Sequence, residues 1–156
     1  MKKILLGLGN PLGCDDGVGF YVASTFRAPG WLAIPATTLE NVWGIIEREK
    51  PEKLVIVDAA EMGLPPGSIR RLPLKEGAEM IGSTHGLPLS LLFSLAKVNE
   101  IVLIGIQPKE YGVGEGLSPE LQSAATFLAR LLQENREHEI PAFIPEQARE
   151  VRGTPA

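Results

Sequence analysis

The 156-residue chain is long enough for one domain with a substantial core and too short for two. Hydrophobic residues make up 44% and charged residues 22%, with a net charge of -4, so the composition is globular and lacks the broad basic surface of a nucleic-acid binder. One cysteine excludes an intramolecular disulfide and points to a reducing, cytoplasmic setting; no apolar run approaches the ~20 residues that span a bilayer, so no membrane role is expected.

In chain order, KILLGL at 3–8 reads as a short buried strand, not a signal peptide, because Gly7 and Gly9 break the apolar run. It leads into GLGNPLGCDDGVG, Gly7 to Gly19, where two aspartates stand in a glycine-rich connection of the kind that usually cradles phosphate. Carboxylates repel phosphate, so the loop is expected to face a cation, its glycines keeping the backbone thin for a bulky approach. From Asp16 to about Phe26 the apolar residues Val18, Tyr21, Val22 and Phe26 fall at helical spacing, with Asp15 as the expected N-cap. A strand is expected at Trp31–Ile34, closed by Pro35, and LENVWGIIEREKP is a helix with Val42, Ile45 and Ile46 inward and Pro51 stopping it.

KLVIVDAA places a buried strand at Lys53–Val57, with Asp58 at its end. A loop, EMGLPPG, leads to a short strand at Ser68–Leu72. After STHG comes a helix, LPLSLLFSLAK, followed by a buried strand from Glu100 to Pro108. KEYGVGEG is a glycine-rich loop that touches a partner or simply connects. LSPELQSAATFLARLLQEN is a long amphipathic helix capped by Ser118, with Pro119 at its first position. Alternating strands and helices predict an α/β fold over 1–135: a three-layer α/β/α sandwich around a mainly parallel twisted sheet of about five strands, phosphorylase/hydrolase-like. Residues 136–156 read as an extended C-terminal tail.

Ligands of open parallel sheets sit outside the carboxyl ends of the strands. Three polar residues fall there: Asp16 after the first strand, Asp58 ending the third, and His85 in STHG. Asp58 abuts four apolar residues and needs a cation or donor to offset lost solvation. Two carboxylates and an imidazole suit a borderline divalent metal with open positions, and the set by itself would accept zinc or manganese. Plainer readings stand beside this: Asp15 and Asp16 as helix-start residues, Asp58 as a turn cap, His85 as a structural histidine.

The dinucleotide fingerprint fails, because Leu12 stands where its next glycine belongs, and no P-loop Gly-Lys-Ser/Thr follows. GLGNP matches the opening of peptidyl-tRNA hydrolases, but the histidine and asparagine that follow in that family are absent. The ordered set GLGNPLGCDDGVG, LVIVDAAEMGLPPGSIR, STHGLPLSLL and IVLIGIQPKEYGVGEGLS resembles the [NiFe]-hydrogenase maturation proteases over roughly residues 4 to 125, most nearly the hydrogenase 3 (formate-hydrogenlyase) branch. The resemblance implies an endopeptidase that removes the C-terminal extension of the nickel-loaded large-subunit precursor. It makes Asp16, Asp58 and His85 the metal-contacting residues and nickel a metal carried by the precursor. One departure is that the family's Asp-Gly-Gly segment after the second strand reads Pro35-Ala36-Thr37-Thr38 here, with Glu40 expected in the following helix. Two other readings remain: a nickel-checking chaperone that binds the precursor without cutting it, and a thiol protease with Cys14 as nucleophile and His85 as base.

Overall fold

The computed structural model describes residues 2–74, 76–77 and 97–144. The STHG motif with His85 and the helix expected after it lie outside the described residues, as does 145–156. Among the described residues five strands form one sheet: β1 (Lys3–Leu8), β2 (Trp31–Ala36), β3 (Lys53–Ala59), β4 (Ile69–Leu72) and β5 (Glu100–Ile106). Their order is β2-β1-β3-β5-β4, with β4 antiparallel to β5 and every other pair parallel.

The central strands are apolar throughout because both faces are covered. Leu5, Val55, Val57 and Ile104 join Val18, Val22 and Phe26 of the α1 (Val18–Thr25) side and the buried leucines of α3 (Pro119–Gln133) in one core. On the other face Ile4, Leu6, Leu54 and Ile56 pack with Leu39, Val42 and Ile46, the last from α2 (Trp43–Glu49). The period-two alternation of strand side chains thus feeds two separate cores, which is the three-layer α/β/α sandwich.

Several local expectations change. Pro35 does not close β2, which runs on to Ala36. An edge strand tolerates proline because its missing N–H can face away from the ladder, and β2 is the outermost strand beside β1. β3 continues past Val57 to Ala59, so Asp58 is a strand residue paired with Gly105. Residues Cys14–Gly17 form a separate 3-10 turn ahead of α1, and no side chain caps α1. α2 stops where Lys50 adopts a left-handed conformation, φ +45°, immediately before Pro51. Glu40 begins a short 3-10 turn, Glu40–Val42, ahead of α2, and is exposed.

The glycines have a packing reason. A Cβ on Gly19 would stand 2.2 Å from the Val57 carbonyl oxygen and 2.3 Å from that of Leu8; one on Gly7 would stand 2.0 Å from the Gly19 oxygen. They let α1 press directly onto β1 and β3, rather than opening room for an incoming group. Beyond α3, residues 140–143 follow β4: the Arg71 amide donates to Pro141 O at 2.9 Å and the Phe143 amide to Arg71 O at 2.8 Å.

Candidate functional site

The chain passes from β1 through α1 to β2 on one side, then returns through α2 to β3 on the other side of β1. β1 and β3 therefore flank the topological switch point, where the connections diverge to opposite faces and leave a crevice at the carboxyl ends. Asp16 lies in the turn after β1, and Asp58 is the penultimate residue of β3. The turn rests against β3, so two of the three expected residues come to neighbouring strand ends. Among the described residues no three His, Cys, Asp or Glu side chains form a metal-holding group; His85, the third member of the expected set, is outside them.

The two carboxylates differ in surroundings. Asp58 is fully buried, and its Oδ1 accepts the Ala59 amide at 2.7 Å. Asp16 is partly buried, and burial pushes its carboxyl up against the opposing pull of the Asn10 amide. Among the described residues no lysine or arginine is paired with it. A desolvated carboxylate with so little compensation fits an incoming cation.

Asp15, expected as an N-cap, has a different task. It is fully buried, and its Oδ2 accepts the amides of Lys109 and Glu110 and the Ser118 hydroxyl, each at 2.8 Å, while Oδ1 accepts the Ser118 amide at 2.8 Å. Burial works to raise its carboxyl, but these donors from Ser118, Glu110 and Lys109 together hold it below the usual carboxylate range. Ser118 stands at the N-cap of α3, yet its hydroxyl serves Asp15 and not the helix amides. The DD pair of the sequence was thus two residues with two tasks, a split that the next-door spacing concealed.

A second missed group is Glu61, Gln107 and Tyr111. Buried Gln107 accepts the Met62 amide on Oε1 at 2.7 Å and donates from Nε2 to Glu61 Oε2 at 3.1 Å. The Tyr111 hydroxyl donates to the same Glu61 oxygen at 3.0 Å. Desolvation, then that bond, push its phenol up to about 12, so it stays a donor at neutral pH. The only sequence signal was polar residues just past the apolar runs of β3 and β5. Cys14 has φ +54°, donates its amide to Gly114 O at 3.0 Å, and opens the 3-10 turn that runs directly into α1.

No helix among the described residues is long and apolar enough to cross a membrane. The HycI family model, described as hydrogenase maturation protease, matches residues 37–134. The hydrogenase 3 maturation protease of Escherichia coli K12 is 33% identical over 140 residues, covering 85% of this chain and 90% of that protein. A putative hydrogenase maturation protease of Methanocaldococcus jannaschii is 32% identical over 123 residues, covering 69% of this chain and 73% of its own. Among solved structures, the solution structure of the endopeptidase HycI from Escherichia coli superposes with a TM-score of 0.80 at 28% identity, covering 94% of this chain and 99% of that one. The crystal structure of the [NiFe] hydrogenase maturation protease HycI from Thermococcus kodakarensis KOD1 gives 0.70 at 31% identity, covering 87% and 92%. With its five-stranded sheet and its acidic switch point, this chain belongs to the hydrogenase maturation proteases of the HycI family and is a hydrolase, an endopeptidase of hydrogenase maturation.

Proposed function

We propose that this endopeptidase removes a C-terminal extension from the large-subunit precursor of a [NiFe]-hydrogenase after nickel has been inserted. Asp16, Asp58 and His85 recognise the nickel that the precursor carries, and the metal arrives as part of the substrate. The observation that carries this reading is the pair of carboxylates on neighbouring strand ends at the switch point, with Asp16 desolvated and served by one backbone amide. Oxygen donors with an imidazole form a set that accepts a borderline divalent ion, and zinc could occupy it in place of nickel. When bound, nickel supplies a Lewis acid beside the scissile peptide. Asp58 is fully buried at the strand end, where its Oδ1 accepts the Ala59 amide. His85 adds a neutral nitrogen, or takes a proton from the attacking water as general base.

The test incubates purified protein with nickel-loaded and nickel-free precursor and weighs the products. A mass loss equal to a C-terminal peptide, seen only with nickel, is expected. Asp58→Asn preserves shape and removes charge, and should slow that loss at least about 100-fold. A normal rate for Asp58→Asn would end the metal-recognition reading, and stable binding without any mass loss would favour the chaperone.

A further inference from the structure

The turn that carries Asp16 is tied to a second loop far along the chain. Besides the four bonds accepted by the Asp15 carboxylate, the Asp15 amide donates to Glu110 O at 3.2 Å and the Cys14 amide to Gly114 O at 3.0 Å. The Gly114 amide returns a bond to Leu12 O at 2.7 Å. Loop 109–118 is therefore stitched to the acidic turn along its length. Its Tyr111 then reaches Glu61, which Gln107 also holds, so the loops after β1, β3 and β5 join in a chain of bonds around one edge of the sheet.

The Tyr111 side chain is anchored at one end by this bond, yet the residue is 60% exposed. Leu12 and Val113, on the two stitched loops, are 55% and 97% exposed. Asp15 commits both carboxylate oxygens to a loop about a hundred residues away, which carries the exposed Tyr111 and Val113 beside the Asp16 turn.

We infer that Asp15 is a positioning residue: its carboxylate latches loop 109–118 onto the Asp16 turn and so holds Tyr111 at the rim where the precursor is engaged. The substrate in this statement rests on the function proposed above. Asparagine cannot replace the carboxylate, because in either orientation its NH2 group would face a backbone N–H donor. Tyr111→Phe removes the anchor to Glu61 while leaving the latch in place.

The experiment measures kcat and KM separately on nickel-loaded precursor, at a temperature where each variant is folded by circular dichroism, with amide exchange of 109–118 alongside. Asp15→Asn should raise KM about 10-fold, the scale of a lost bond to a charged group, and speed exchange at Lys109, Glu110 and Ser118 by a similar factor. Tyr111→Phe should raise KM in the same direction, and adding it to Asp15→Asn should cost nothing more, since the loop is already released. Leu128→Ala, a buried position in α3, should lose stability yet keep both kinetic constants. Folded Asp15→Asn with unchanged KM, or additive effects in the double variant, would overturn the inference. If Asp15→Asn does not fold, Ser118→Ala removes one of the four bonds, and its unaltered KM would overturn it equally. Should wild-type protein bind but not cut, the proposed function fails, whereas precursor affinity and loop exchange still decide the latch: unchanged values in Asp15→Asn would refute it.

Discussion

At the amino-terminal end of the sheet, Lys53 is held against the nearly buried Glu137, with Glu100 at 3.6 Å from the same ammonium, and Lys2 meets Glu49. At the carboxyl-terminal end, Asp15 and Asp16 pair with no lysine or arginine among the described residues. Asp15 is satisfied by amides and a hydroxyl, and Asp16 is left with desolvation largely unopposed. The first arrangement cancels charge with charge and ties the turn after α3 to the sheet. The second keeps two adjacent carboxylates at a partly buried strand end, one compensated by amides and a hydroxyl and the other desolvated. One end of the sheet cancels its charges in ion pairs, and the other, where the proposed site lies, does not.

That contrast can be broken by substitutions that should separate the two ends. Gly19→Ala, beneath the carboxyl edge, should cost more than about 3 kcal/mol by overpacking, because both carbonyl oxygens it meets belong to the strands that carry the site. Processing should fall with it, and a denaturant midpoint close to wild type would contradict the close-packing account. Glu137→Ala, at the amino edge, should cost about 3 kcal/mol, the lower end for a broken buried pair, since Glu100 still faces Lys53. Folded Glu137→Ala should process precursor normally; a changed KM would show that the two ends are not independent.

The smallest effect sharpens the contrast within the carboxyl end itself. Asp15 is held below its unfolded value of about 3.9, so the stability it contributes is full above that pH and lost as pH falls through the lower folded value. Asp16 is raised, so its contribution is present below about 3.9 and is lost as pH rises through the higher folded value. At neutral pH, without metal, Asp16→Asn should therefore stabilise the protein slightly, and the gain should vanish in acid. Denaturant midpoints from pH 7 down to 3 test this, and a gain that grew in acid would reverse the assignment.

The order of strands and helices was legible because buried parallel strands need apolar runs such as LVIV, and the covering helices need apolar residues at helical spacing. Pro35 misled because proline looks alike as a stop and as an edge residue, and only the sheet order shows that β2 is outermost. The switch-point placement of Asp16 and Asp58 was legible as two polar residues at the ends of apolar strands. Asp15 was not, since its four donors come from residues 109, 110 and 118.

By itself the sequence determined the layered α/β class, the candidate acids and the family, all carried by local pattern and by ordered motifs. Only the tertiary structure decided which of two adjacent aspartates is left desolvated and which is locked by donors. That choice depends on hydrogen bonds across some hundred residues of chain, and no local spacing records such partners.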